Sequence, residues 1–224
     1  TTWYGSSQYQ PDTVTPKLTY TIGDGDYYDT VTHWTYTEYF TDFDSGFLRL
    51  GIPTNSKPED RVKGFKFCLF NLQDGIRDNE HAIDSNMLIM DFDEGQSIAS
   101  IRNLFRQFTH IIYTSKSHQI PAHDKPACDR FRILLPVDRA ITQDEMKEIG
   151  IALSNRYGCD PSCFKGASWF WCGIPTSEIY RNFGKVLSTD WLLSLASSVT
   201  VPGCDISDSK TARVKGNGTI NPLP

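Results

Sequence analysis

The chain has 224 residues, of which 39% are hydrophobic and 22% are charged, which is typical of a globular protein with a sizeable core. Its formal net charge of -5 excludes binding of nucleic acid by bulk positive charge, although local basic patches are compatible with it. No apolar run is long enough to span a bilayer, and the first residues lack the pattern of a signal peptide. We therefore expect a cytoplasmic protein that does not contact a membrane.

The first third of the chain, 1–86, gives few structural signals, and we expect it to form the N-terminal part of one core. The alternation of residue types over 31–40 fits either a strand or a short helix. Two prolines and several polar residues predict a loop over 51–64. A strand is predicted over 65–70, and the polar stretch 71–86 is predicted to be a connection.

The central segment has clearer periodicity. The apolar run 87–92 predicts a buried strand, and 110–114 predicts a second one. Alternating residues over 130–137 predict a third strand, and Pro136 indicates that its end is an edge or an exit from the sheet. Between the first two strands, Ser97 can cap a helix whose apolar face consists of Ile98, Ile101, Leu104, Phe105 and Phe108.

A second helix begins with a capping box formed by Thr142 and Glu145, and Gly158 lies where its C-terminal cap is expected. Residues 167–174 predict an aromatic strand, and a last helix is predicted to start at Ser188 or Thr189. The order of strands and helices predicts an α/β (α+β) fold, with a second part at 87–200. The polar composition of 201–224 predicts a tail or linker, and we expect a further domain to follow it.

The six cysteines are spread over apolar or mixed segments, unlike those of a small disulfide scaffold. We therefore expect reduced thiols. Cys159, Cys163 and Cys172 match the spacing of a zinc site only loosely, so ordinary buried thiols are the favoured interpretation.

The sharpest chemical motif is Asp91-Phe92-Asp93 at the end of the first central strand. Residues two apart in a strand share a face, so both carboxylates would converge while Phe92 enters the core. A divalent cation would relieve their repulsion, and hard oxygen ligands suit Mg²⁺ or Mn²⁺. The alternative is a solvated junction between a strand and a turn.

Three further segments offer groups that could complete such a site. Ser115, Lys116, Ser117 and His118 follow the second strand and supply donors for phosphate oxygens, although a polar turn would have the same composition. Arg130 and Arg132 share one face of the third strand, where they could neutralise phosphate or simply face solvent. Asp160 follows the second helix and could supply a third carboxylate, or form a turn with Pro161.

Together these motifs resemble the archaeo-eukaryotic primase superfamily, especially the primase domains of phage and plasmid replication proteins. LIMDFD is similar to the family's Asp-x-Asp motif, YTSKSHQ to its Ser-and-His motif, and Asp160 in GCDPSC to its single acidic motif. The segment DRFRILLPVDRAIT also resembles this branch. Two positions depart from the pattern. Lys116 precedes His118 where the family has Ser, and Trp169, which we expect to fill the core, stands where relatives have Arg.

The resemblance implies a core with an RRM-like sheet, packed helices and an N-terminal α/β lobe. It implies template-directed nucleotidyl transfer in DNA replication, with Asp91, Asp93 and Asp160 holding two Mg²⁺ or Mn²⁺ ions. Ser115, Lys116, Ser117, His118, Arg130 and Arg132 are the implied nucleotide-binding residues. The implied partners are a single-stranded DNA template, NTP or dNTP, and a helicase domain C-terminal to this segment.

Two other functions fit parts of the pattern. A metal-dependent nuclease or replication initiator also uses acidic residues and His, but the His-x-His pair of the initiator class is missing from the sequence. A catalytically inactive module could bind single-stranded nucleic acid through aromatic residues on the sheet. The three acidic residues favour an enzyme over such a module.

Overall fold

The computed structural model describes residues 18–23, 29–34, 66–121, 126–171, 173 and 176–198. The predicted tail at 201–224, the predicted loop at 51–64, Cys172 and Cys204 lie outside these residues, as do the ends of several predicted segments. No helix in the described part is long and apolar enough to span a bilayer.

The described residues form two four-stranded antiparallel sheets and three α-helices, a mixed α/β arrangement. The first sheet has the order β2-β1-β3-β7. Its strands are β1 (Leu18–Gly23), β2 (Asp29–Trp34), β3 (Lys66–Cys68) and β7 (Trp169–Trp171). The second has the order β4-β6-β5-β8. Its strands are β4 (Asp84–Phe92), β5 (His110–Thr114), β6 (Phe131–Thr142) and β8 (Ile179–Asn182).

The helices follow the predicted caps closely. Helix α1 (Ile98–Leu104) begins after Ser97, whose side chain accepts a hydrogen bond from the Ser100 backbone. It ends earlier than the apolar pattern suggested, because the hydrogen bond of Phe108 closes a tighter turn onto Phe105 at 2.9 Å. Phe105 and Phe108 nevertheless remain in the core.

Helix α2 (Gln143–Tyr157) has the predicted capping box, and Gly158 caps its C-terminus with a φ of 74°. Only a glycine adopts this left-handed conformation without steric cost. Helix α3 (Thr189–Ser198) begins at one of the two predicted residues. Helices α2 and α3 contact each other and β6.

Several strand predictions require correction. Strand β6 does not end near Pro136 but continues to Thr142, because β4 keeps pairing with it through a bulge between Ser85 and Met87. Pro136 is tolerated because β5 pairs with β6 only as far as Leu134. Strand β8 was not predicted, since four residues without alternation give no periodic signal.

Candidate active site

The candidate site lies where β4 ends beside β6. Asp91 is paired with Arg132, and Arg132 is paired with Tyr113 of β5, so these three side chains share one face of the second sheet. Phe92 projects to the opposite face, where its ring stacks on Phe131 with 5.0 Å between the centroids. Phe92 is fully buried, as the strand alternation predicted.

Asp91 and Arg132 form an ion pair that is largely withdrawn from solvent. The Nε and Nη2 atoms of Arg132 donate to Oδ2 of Asp91 at 3.0 and 2.9 Å, and both side chains are about 15% exposed. Burial opposes the charge of Arg132, but its contacts with Tyr113 and Asp91 raise its pKa. The guanidinium is therefore a fixed positive charge at the end of β4.

Asp160 is brought beside Asp91 by the backbone. Its N–H donates to the carbonyl oxygen of Asp91 at 2.9 Å, just after α2 has turned back at Gly158. The Asp160 carboxylate accepts a hydrogen bond from the N–H of Ser162 at 2.9 Å, which caps the 3-10 helix Pro161–Phe164. Residues far apart in sequence thus meet at one end of the second sheet.

The third acidic residue, Asp93, follows β4 and is exposed. Burial raises the pKa of Asp91, and the carboxylates of Asp93 and Asp160 add to this rise while Arg132 opposes it. The three negative charges therefore act on one another. A divalent cation would relieve this repulsion, and a set of carboxylate oxygens has the chemistry that Mg²⁺ and Mn²⁺ prefer.

The side chains as placed are nevertheless engaged elsewhere, Asp91 with Arg132 and Asp160 with Ser162. Within the described ranges, no three His, Cys, Asp or Glu side chains are grouped so that they could hold a metal ion. The donor set fits such an ion in its chemistry, whereas binding requires Asp91 to exchange its contact with Arg132. Shared metal binding by the three carboxylates remains a prediction.

A cationic pocket of about 350 Å³ adjoins the Asp91–Arg132 pair. Its charged and polar lining comes from three parts of the chain, and the lining residues that sequence reasoning did not assign to the site are Arg77, Asn79, Ser162, Cys163, Lys165, Ala167, Ser168 and Phe170. Lys165 lies five residues after Asp160, a position from which its proximity could have been inferred. Arg77 lies in a polar connection that carries no comparable signal.

Trp169 also lines this pocket, which corrects our expectation that it fills the core. Its side chain is 37% exposed and packs edge-on against Trp171, with 5.3 Å between the ring centroids. Because β7 is only three residues long, Trp169 reaches the pocket from the end of the strand. An indole at this position offers a flat apolar surface to a ligand.

The predicted nucleotide-binding segment 115–118 forms a turn directly after β5. None of its residues lines the pocket. The His118 Nδ1 atom accepts a hydrogen bond from the Arg130 backbone at 3.2 Å, so neutral His118 carries its proton on Nε2. The hydroxyls of Ser115 and Ser117 are 3.1 Å apart, and Lys116 is exposed.

Arg130 and Arg132 have different surroundings although they share a strand face. Arg132 lines the pocket, whereas Arg130 is buried and its Nη1 atom donates to the carbonyl oxygens of Ser117 and Ile120 at 2.6 and 2.7 Å. Arg130 therefore fixes the turn that carries His118. A direct contact of Arg130 with nucleotide remains a prediction.

No disulfide joins the four cysteines in the described part of the chain. Burial raises the pKa of Cys68 to about 11 and that of Cys159 to about 12, and it raises the pKa of Cys163 well above its ordinary value. Cys128 is half-buried. These surroundings favour inert thiols over zinc ligands.

No protein-family model matches the sequence, and no curated protein matches it. Two solved structures are similar to the chain. The primase-polymerase (PrimPol) AEP domain of cyanophage S-2L is 10% identical with a TM-score of 0.45, and the match covers 82% of this chain and 90% of that one. The primase RepB' is 14% identical with a TM-score of 0.43, over 82% of this chain and 58% of that one.

Proposed function

We propose that this chain is a metal-dependent nucleotidyltransferase, a primase or primase-polymerase that acts on a single-stranded DNA template. The observation that carries the proposal is the meeting of Asp91 and Asp160 through a backbone hydrogen bond, beside a pocket lined by Arg77, Arg132 and Lys165. Acidic groups next to a cluster of cations suit a substrate that carries both phosphate and metal. The sequence motifs of the primase superfamily lie at this same position.

In this proposal Asp91, Asp93 and Asp160 would hold Mg²⁺ or Mn²⁺. Two such ions would activate the attacking hydroxyl and stabilise the leaving pyrophosphate. The protein's own contribution is to position the reacting groups and to stabilise negative charge where water is excluded.

The cations of the pocket have a separate role, which is to bind the triphosphate of the incoming nucleotide. Arg132 is held rigidly by Asp91 and Tyr113, while Lys165 is exposed and can reach a ligand that enters from solvent. Trp169 provides a flat surface for the base or the sugar. His118, with its proton on Nε2, donates to a phosphate oxygen from the rim of the site.

Strand synthesis by two variants tests the proposal. We expect the purified chain with Mg²⁺ or Mn²⁺ to initiate or extend a strand on single-stranded template. Asp91→Ala and Asp93→Ala should abolish the product without unfolding the protein. Asp144→Ala is the matched control, because this carboxylate is exposed on α2, away from the site.

The same reactions separate the proposal from its alternatives. Wild-type amounts of product from Asp91→Ala or Asp93→Ala would contradict it. Shortening of a labelled strand in place of extension would identify a nuclease. Binding of single strands with neither reaction would identify an inactive binding module.

A further inference from the structure

A second positively charged surface lies on the far edge of the second sheet, away from the acidic residues. It is built from two segments, 98–110 and 179–189, which contain four Lys or Arg residues and no Asp or Glu. This local imbalance stands against a net charge of -5 for the whole chain. We call the exposed part of it the α1–β8 surface, and its residues are Arg102, Arg106, Phe183 and Lys185.

The two segments are locked together by backbone hydrogen bonds. The N–H of Thr109 donates to the carbonyl oxygen of Lys185, and the N–H of Lys185 donates to that of Gln107, both at 2.8 Å. Asn182 donates from Nδ2 to the carbonyl oxygens of Arg106 and Phe108 at 3.0 and 2.7 Å. The turn after β8 is therefore firmly seated on the end of α1.

This seating leaves the Phe183 side chain at the tip of the turn, 72% exposed. Next to it, Gly184 approaches Gln107 so closely that a Cβ atom would lie 2.3 Å from the Gln107 carbonyl oxygen. The turn cannot sink further into the protein to cover the phenyl ring. An aromatic ring held rigidly in solvent is suited to stacking on a planar ligand.

The cations of the surface are not neutralised by neighbouring carboxylates. In the part of the chain that the structure describes, Arg102, Arg106 and Lys185 form no ion pair with an acidic residue. Arg102 packs its guanidinium 4.5 Å above the ring centroid of Tyr180, whose hydroxyl donates to Glu178. Arg181 projects to the opposite face of β8 and is not part of this surface.

We propose that the α1–β8 surface binds the phosphate backbone of single-stranded nucleic acid, with Phe183 stacking on a base. Unneutralised cations next to a rigid exposed ring are the combination that such strands recognise. The choice of nucleic acid over another polyanion rests on the proposed function. The surface lies three strand spacings from β4, roughly 14 Å across the sheet, so it contacts a part of the strand distant from the reacting end.

Binding of a labelled oligodeoxythymidine, followed by fluorescence anisotropy without metal or nucleotide, tests the proposal. The double variant Arg106→Gln/Lys185→Gln should weaken binding by about tenfold or more at moderate salt. It should also reduce the slope of log affinity against log salt by about two, one for each lost phosphate contact. Phe183→Ala should weaken binding by about tenfold with the salt slope unchanged.

The matched control is Lys147→Gln/Arg156→Gln, which removes the same charge from exposed positions on α2. Equal binding by the surface variant and this control would overturn the proposal, as would failure of the wild-type chain to bind the oligonucleotide at low salt. Asp91→Ala should bind normally. Loss of binding in the surface variant of a chain that synthesises no strand would refute the proposed function and support this surface.

Discussion

Arg132 occupies the carboxylate that the proposed metal would need. Two of its nitrogens donate to the same oxygen of Asp91, and both side chains are largely buried. A buried ion pair of this kind is costly to break unless each charge receives a new partner. A nucleotide triphosphate would supply a partner for Arg132, and a divalent cation would supply one for Asp91. Nucleotide and metal should therefore favour each other's binding.

Replacing Arg132 tests this competition directly. We expect Arg132→Gln to raise the affinity for Mn²⁺ in the absence of nucleotide by a factor on the order of ten, because hydrogen bonds to charged groups are worth about 1.5–3 kcal/mol. Electron paramagnetic resonance of free Mn²⁺ during a titration measures the change. Lys147→Gln removes an equal charge from a remote position. Unchanged Mn²⁺ affinity in Arg132→Gln would show that the pair does not restrain Asp91.

The described thiols should differ in reactivity, because alkylation requires the thiolate. The pKa values of Cys68 and Cys159 are raised to about 11 and about 12, so near pH 8 almost none of either thiol is ionised. We expect iodoacetamide to modify Cys128 in the native protein well before Cys68, Cys159 or Cys163. Peptide mass spectrometry over time measures the order. Early modification of Cys159 would contradict the burial described here.

Among the elements, α2 determines where Asp160 lies. Its start is fixed by the capping box of Thr142 and Glu145, and its end is fixed by Gly158. The 3-10 helix after Asp160 then packs closely on α2, because Gly150 has no side chain where Phe164 lies. A small residue within a helix thus allows the third acidic residue to approach β4.

The substitution Gly150→Ala should disturb this approach. The new Cβ atom would lie 2.5 Å from Cγ of Phe164, so the ring or the 3-10 helix must shift. We expect a net loss of about 1–2 kcal/mol in the free energy of unfolding, because the cost of overpacking exceeds the gain in helix propensity. Urea denaturation measures it. Glu148→Ala, exposed on the same helix, should change stability by less than about 0.5 kcal/mol.

At the scale of the whole molecule, the candidate site lies between the two sheets. Asp91 and Arg132 belong to the second sheet, whereas Trp169 and Phe170 belong to β7 of the first. The hydroxyl of Tyr113 in β5 donates to the carbonyl oxygen of Trp171 in β7 at 3.0 Å. This fully buried tyrosine therefore joins the sheets next to the pocket and also contacts Arg132.

Removing that hydroxyl should weaken the joint between the sheets. We expect Tyr113→Phe to lower the free energy of unfolding by about 1–3 kcal/mol, since the buried Trp171 carbonyl loses a donor. Chemical denaturation measures the loss. Tyr180→Phe removes a hydroxyl whose hydrogen bond to Glu178 is exposed, and it should cost less than about 0.5 kcal/mol. Equal losses in the two variants would show that the hydrogen bond between the sheets has no special weight.

Local signals were sufficient where the chain's own chemistry sets the structure. Ser97, the Thr142 capping box and Gly158 act through groups within a few residues, so their helix ends were predictable. The end of β6 and the existence of β8 were not, because both depend on strands that are distant in sequence. Trp169 was misassigned for the same reason, since its exposure depends on what packs around the short β7.

The sequence by itself determined the acidic pattern at the end of β4, the helix boundaries and the buried position of Phe92, because strand alternation and capping are local. Only the tertiary structure decided that Asp160 lies beside Asp91, that Arg132 rather than Arg130 faces the pocket, and that Arg77 and Lys165 join it. Such contacts depend on the register and packing of distant segments, which no short stretch of sequence specifies.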